Sequence, residues 1–271
     1  MYNAYMSPVA ILVPTYEPDP AHLRAALDSV FRQTSQDFTV LIHDDASQTE
    51  VGHIVEPYVV SDRCRFIRSE RRLGIAGNWN ACLSHTTDLL VQYLFQDDVW
   101  NETYLENAQN AMEGDVGLVF TAHKYRVEGT MRFETEINDW YKTVEQERVV
   151  IPSGRQSGSA FLESWIGRGL HPNLIGEPSF VLLKRELLAK AGPFDGSMPQ
   201  GLDLEMWVRL LPRTNIAFVP QDGGFFRVHT LGASARNRAQ GRGLMDRLSV
   251  LERLTRQGDR ELKKLARLAI R

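Results

Sequence analysis

The chain has only two cysteines among its 271 residues, Cys64 and Cys82. They lack metal-ligand spacing, and such scarcity suits free thiols in a reducing compartment better than a disulfide framework. No apolar run approaches the roughly 20 residues needed to cross a bilayer. The first residues carry neither a basic stretch nor a cleavage site, so a cytoplasmic protein is expected. An excess of positive charge is missing too: 31 Lys and Arg against 34 Asp and Glu give a formal net charge of −3. That balance argues against dedicated nucleic-acid binding, although Arg65, Arg68, Arg71 and Arg72 form a local basic cluster. The Gly-x-Gly-x-x-Gly fingerprint is absent, which speaks against a dinucleotide dehydrogenase. There is no internal repeat, low-complexity tract or linker that would separate independent domains.

What the chain does contain is an alternation of strands and helices. Residues 9–13 are a β-rich run closed by Pro14, and residues 21–33 place Leu23, Leu27, Val30 and Phe31 on one helical face. A strand over 38–42 stops at His43, Asp44 and Asp45. A helix over 49–60, a strand over 64–68, a glycine-bearing loop over 72–77 and a helix over 78–85 follow. The fourth strand lies in 89–100, an apolar run that ends in Asp97 and Asp98. This spacing implies parallel βαβ units and a sheet covered on both faces, whose ligands bind at the carboxyl ends of the strands. Carboxylates resist burial unless paired or bound to a cation, so Asp97 and Asp98 suggest a metal site at the lip of the sheet. The competing structural reading makes Asp97 a turn former and Asp98 a helix cap.

After a helix over 102–112 and a strand over 116–125 the alternation loosens. Charged and aromatic residues over 126–155, including Trp140 and Tyr141, suit a long excursion over the sheet, a kind of segment that often carries binding. Helices are expected over 157–166 and 184–191, a turn-rich loop over 169–178 and a strand over 179–183. Gly201 opens a further helix with Asp203 and Glu205 in its first turns, where carboxylates suit the helix dipole. Val219, Phe225 and Phe226 mark short strands, and Arg227 and His229 precede a loop over 230–234. From Gly241 onward Leu244, Leu248, Leu251, Leu254, Leu262, Leu265 and Leu268 recur at mostly helical spacings. Core docking or pairing with a second copy is expected for this segment, with an anionic membrane surface as the third option.

Five motifs in order, Val13-Pro14-Thr15-Tyr16, Asp44-Asp45-Ala46-Ser47, Gln96-Asp97-Asp98-Val99-Trp100, Gly201-Leu202-Asp203-Leu204-Glu205 and Arg227-Val228-His229, resemble a family-2 glycosyltransferase of the GT-A fold. The resemblance spans about 9–120 and 177–234. It implies an α/β, Rossmann-like, mostly parallel sheet with helices on both faces. It also implies a glycosyltransferase domain over 1–240, with a nucleotide-sugar-binding half to about 120 and an acceptor-binding half from about 121, and a helical extension over 241–271. The implied enzyme is an inverting, metal-dependent hexosyltransferase that moves a sugar from a UDP- or dTDP-sugar to a hydroxyl, in bacterial surface or secreted glycan synthesis.

By position, Asp97 and His229 would hold Mn²⁺ or Mg²⁺, and Asp203 would be the base. Asp45 would accept from the base imide, Tyr16 would stack on that base, and Thr15 and Glu17 would contact base or ribose. Arg72 would approach the diphosphate, with Gln96 in the same nucleotide-binding set. Asp98 and Glu205 are secondary. The usual motif has an acid two places before its last metal-binding Asp, and here that place is Phe95. The acceptor would be a glycan, a lipid-linked or a small molecule, and Trp140, Tyr141, Trp165 and His171 are candidates to line its groove. No nucleic-acid partner is expected, while peripheral contact with the inner face of the membrane and a homodimer stay open. The alternatives are a non-catalytic nucleotide-sugar-binding protein, or a sugar nucleotidyltransferase, whose Gly- and Arg-rich loop is missing from residues 13–20.

Overall fold

The computed structural model describes residues 8–230, 232, 234, 235, 237 and 240–270, with the backbone alone described at 131–134 and 136. Residues 1–7, where no targeting segment is expected, and part of the loop expected over 230–234 lie outside the described residues. The first half runs β1 (Val9–Thr15), α1 (Pro20–Phe31), β2 (Phe38–Asp44), α2 (Val51–Val55), β3 (Cys64–Arg68), α3 (Gly74–Ser84), β4 (Leu90–Tyr93), β5 (Val99–Trp100), α4 (Tyr104–Ala111) and β6 (Val116–Thr121). The second half runs β7 (Lys124–Glu128), α5 (Met131–Val149), β8 (Gly154–Ser157), α6 (Gly158–Gly167), β9 (Val181–Lys184), α7 (Arg185–Ala191), α8 (Leu202–Leu210), β10 (Asn215–Val219) and β11 (Gly224–His229). Two helices close the chain, α9 (Arg242–Gln257) and α10 (Arg260–Ile270).

The main sheet has the order β3-β2-β1-β4-β9-β6-β10-β8, with β9 and β8 antiparallel to their neighbours and the other pairs parallel. All seven residues of β1 are buried, and their alternation decides the layers. Val9, Ile11 and Val13 pack with Leu23, Leu27 and Val30 of α1 and Leu105 of α4. Ala10 and Leu12 face Cys82 of α3, Trp165 of α6 and Trp207 of α8. A second sheet, β5-β11-β7, stands beside the first.

Several boundaries differ from the sequence reading. The helix expected over 49–60 is confined to Val51–Val55. The run over 89–100 is two strands, because the chain turns at the acids and delivers Val99–Trp100 to the smaller sheet. The strand over 116–125 divides in the same way, Thr121 ending in the main sheet and Lys124 starting in the smaller one. The helix expected from Asn78 begins at Gly74, whose φ of +77° suits glycine. The excursion over 126–155 is largely the 19-residue helix α5. Its Ile137, Tyr141 and Val144 form a helical stripe against Val228, Tyr125 and Phe226, and its Glu, Lys and Arg residues are good helix formers. Mixed composition concealed a periodicity that was there.

The C-terminal helices dock on the core. Val250, Leu251 and Ala266 are buried, and Leu254, Leu262 and Leu265 pack against the same cluster, whereas Leu244 and Leu268 stay exposed. Among the described residues no helix is long and apolar enough to cross a membrane.

Candidate active site

The parallel strands end together. Thr15 is in register with Asp44, and Asp44 with Arg68, so the turns after β1, β2 and β4 meet at one edge of the sheet. A cavity of about 1380 Å³ opens there. Thr15, Tyr16, Glu17, Asp45, Arg72, Gln96, Asp97, Asp98, Asp203 and His229 all line it, whereas Glu205 does not.

One end is built by the strand turns. The Gln96 carboxamide accepts the Tyr16 N–H at 2.8 Å and donates to the Tyr16 carbonyl at 3.2 Å, so it holds the backbone of Tyr16 from both sides. The Arg72 guanidinium lies over the Tyr16 ring, 3.8 Å from its centroid. Asp45 is buried, and its carboxylate accepts the N–H groups of Leu73 (2.5 Å) and Gly74 (2.9 Å) at the start of α3. Thr15 is fully buried and its hydroxyl faces the His43 carbonyl. The Glu17 carboxylate is committed to the next loop, accepting from the Thr49 hydroxyl and the Gln48 and Thr49 N–H groups, which lower its pKa.

In the middle, Asp97 Oδ2 lies 3.3 Å from His229 Nε2, two groups 132 positions apart in sequence. The hydrogen bond with Asp97 raises the pKa of His229. His22, in the first turn of α1, brings Nδ1 to 3.7 Å from Asp97 Oδ1, and this buried nitrogen has no hydrogen-bond partner among the described residues. His22 escaped the sequence reading, although the Asp19 cap and Pro20 at the helix start mark a turn that must lie at the ligand edge of the sheet. Asp98 points the other way. It is 1% exposed and accepts from the Ser179 hydroxyl (2.5 Å) and the Arg227 N–H (3.0 Å), and burial raises its pKa well above the usual carboxylate range. Asp98, given a secondary place in the sequence reading, ties β11 to the turn before β9 at the cavity border. Phe95, at the place of the missing acid, stacks on Trp79 with ring centroids 4.7 Å apart.

At the other end Asp203, in the first turn of α8, accepts from Asn173 Nδ2 and from the Leu204 N–H, each at 2.8 Å. Burial and the negative charge of Glu177 raise its pKa to about 7. Glu177 itself lies 2.8 Å from His123 Nε2 and accepts from the Tyr125 hydroxyl at 3.2 Å. Despite burial it is held ionised by His123 and Arg148. Neither Asn173 nor Glu177 was singled out in the sequence, since only the folded chain brings the 169–178 loop against α8. Glu205 is buried and paired with Arg209 at 2.7 Å, away from the cavity. Of the aromatic candidates, Trp140, Tyr141 and His171 line the cavity, with Trp140 and His171 exposed. Tyr141 stacks on Tyr125, and Trp165 is a core residue.

The family described as Glycosyl transferase family 2 matches residues 10–162, more than half of the chain. The succinoglycan biosynthesis protein ExoW of Rhizobium meliloti is 33% identical over 119 residues, which is 40% of this chain and 34% of ExoW. Among solved structures, S. aureus TarS 1-349 in complex with UDP-GlcNAc superposes with a TM-score of 0.68 at 13% identity, over 97% of this chain and 70% of that one. The mannosyltransferase PcManGT from Pyrobaculum calidifontis, in complex with GDP-Man and Mn²⁺, gives 0.67 at 18% identity over 98% and 70%. The chain spans 41% of the longer TarS structure. These likenesses bear out the GT-A architecture expected from the sequence. With its family match running from β1 into α6 and its polar strand ends gathered at one cavity, this chain belongs to glycosyl transferase family 2.

Proposed function

We propose that the protein is an inverting, metal-dependent hexosyltransferase that moves a sugar from a UDP- or dTDP-sugar to an acceptor hydroxyl, in the synthesis of a bacterial surface or secreted glycan. The observation that carries this reading is the assembly of Asp97 with His229, and of Asp203 with Asn173, in the lining of one cavity. The division into a nucleotide half to about residue 120, an acceptor half to about 240 and a helical extension follows the same line. Succinoglycan biosynthesis is named for ExoW, and a complex with UDP-GlcNAc for TarS; both support the reading by similarity.

Tyr16, held by Gln96, offers a ring face to the base once Arg72 moves from it toward the diphosphate. Asp45 keeps acceptor capacity for a base imide beyond the two N–H groups it already takes. Asp97 and His229 offer one oxygen and one nitrogen donor that would hold a divalent ion such as Mn²⁺. Among the described residues no group of three His, Cys, Asp or Glu side chains is placed to hold a metal ion, so diphosphate oxygens would have to complete the shell. Bound Mn²⁺ or Mg²⁺ supplies charge neutralisation to the departing diphosphate. Asp203, ionised above pH about 7, takes the proton of the acceptor hydroxyl as its oxygen attacks the anomeric carbon. Asn173 and the Leu204 N–H aim that carboxylate.

The test is nucleotide release from UDP- and dTDP-sugars with Mn²⁺, comparing wild type with Asp97→Ala and Asp203→Asn. Both variants are expected to lose activity by about 10²-fold or more. Full activity in either one removes that residue from its role. Tight nucleotide binding without turnover on any acceptor would instead support a binding protein.

A further inference from the structure

We propose that the end of the cavity beyond Asp203 is a subsite for an anionic acceptor, in which Trp140 carries a sugar ring and Arg247 fixes a carboxylate or phosphate attached to that sugar or next to it. The inference rests on the glycosyltransferase reading above.

Three observations converge on it. First, Arg247 of α9 is a half-buried cation in the cavity wall, and among the described residues it has neither a hydrogen bond nor an ion pair. The other arginines of the cavity are engaged: Arg227 with Glu128 and the Asp97 carbonyl, Arg72 with the Tyr16 ring. A guanidinium partly stripped of water and given no counter-ion is costly to keep, unless a ligand brings the anion. Its loss of solvation shows as a lowered pKa. Second, Trp140 is 40% exposed and leans on His171 at 4.8 Å between ring centroids. His171 is within electrostatic reach of Arg247, and partial desolvation, then the charges of Arg247 and Arg168, lower its pKa. An apolar ring face beside an imidazole and a guanidinium that is unpaired among the described residues suits a sugar bearing an acidic group.

Third, the subsite is fixed to the proposed base. Asp246, adjacent to Arg247, is buried and accepts the Gln200 and Gly201 N–H groups at 2.7 and 2.8 Å. A Cβ on Gly201 would lie 3.0 Å from that of Asp246, so glycine permits the close approach. Asp203 starts two residues later. α9 and the first turn of α8 are thus one strut, and it presents Arg247 and Asp203 to the same space.

The acid could belong to the glycan, as a uronate or sugar phosphate, or to the diphosphate of a lipid-linked sugar. The experiment reads binding to the full chain without donor. Fluorescent tetrasaccharides differing only in one terminal residue (glucose, glucuronate or glucose 6-phosphate) are compared. A short-chain polyprenyl diphosphate glucose in detergent micelles is set against the matching uncharged polyprenyl glucoside. Charged probes of at least one pair are expected to bind about tenfold tighter than their neutral partners, the range of a charge-assisted contact. Whichever pair shows the preference identifies the source. Arg247→Gln is expected to erase it and Arg247→Glu to invert it, with binding of the neutral probe by the latter showing that the variant is folded. Trp140→Ala weakens charged and neutral probes alike. Equal affinities in wild type, or a preference that survives Arg247→Gln, overturn the subsite. Nucleotide release from UDP- and dTDP-sugars is measured in parallel. Turnover without charge preference overturns this inference alone, and charge preference without turnover supports the anion site while overturning the transfer reading.

Discussion

The two ends of the cavity are built on different plans. The end around Tyr16 and Asp45 is tied to itself: Gln96 grips the Tyr16 backbone, Asp45 holds the start of α3, and Glu17 is bound to the loop after β2. The end around Asp203 has tied supports beneath open functional groups, since Asn173 and Asp246 are engaged while Trp140 is exposed and Arg247 has no partner of opposite charge among the described residues. A site for an invariant nucleotide gains from preorganisation, which lowers the cost of binding. A site that must fit one particular acceptor gains from side chains whose complement arrives with the ligand. The same contrast appears within one dipeptide. Asp97 opens on the cavity, while the buried Asp98 carboxylate at its border is taken up by Ser179 and the Arg227 N–H.

That contrast can be broken at several points. The largest effect is expected from Asp203→Asn, a fall in turnover of about 10²–10⁴-fold, while nucleotide affinity measured by calorimetry stays near that of wild type. A matching loss of nucleotide affinity would mean the two ends are not separate. Next, Asp98→Ala leaves the Ser179 hydroxyl and the Arg227 N–H without their buried partner and should cost about 2 kcal/mol or more in denaturant unfolding. Asp97→Ala, at a half-exposed position, should cost little. Equal destabilisation by the two would contradict the division of the pair.

A smaller effect lies in pH dependence. Asp203, with a pKa raised to about 7, is mostly protonated and idle below that pH, so the rate should climb through a limb centred near pH 7 and level off about one unit above. Because Glu177 contributes to the shift, Glu177→Gln should move the acid limb of the profile to lower pH. A limb that stays in place assigns the raised pKa to burial alone. The smallest effect is expected from Gln96→Ala, which frees the Tyr16 backbone and should weaken UDP binding several-fold, the scale of one or two neutral hydrogen bonds, without moving the pH profile.

Much of the end around Tyr16 and Asp45 was legible in the sequence. β-rich runs ending at Thr15, Asp45 and Asp97 are local signals, and alternation of strands and helices is enough to say that such ends converge. The family resemblance then gave those acids an order. The helix α5 was also written locally, in the spacing of Ile137, Tyr141 and Val144, but the charged composition around it hid the stripe. The orientation of Asp98 was not legible, because adjacent carboxylates look alike until the backbone turns one of them toward Ser179.

By itself, then, the sequence determined the layers, the polar strand ends and the family, since periodicity and turn chemistry act over a few residues. Tertiary structure alone decided that His229 and His22 meet Asp97, that Glu177 raises the pKa of Asp203, and that α9 brings Arg247 to the cavity that Asp203 lines. Those pairings join residues far apart in the chain. They depend on crossovers, register and the docking of the last helices, which short-range pattern does not specify.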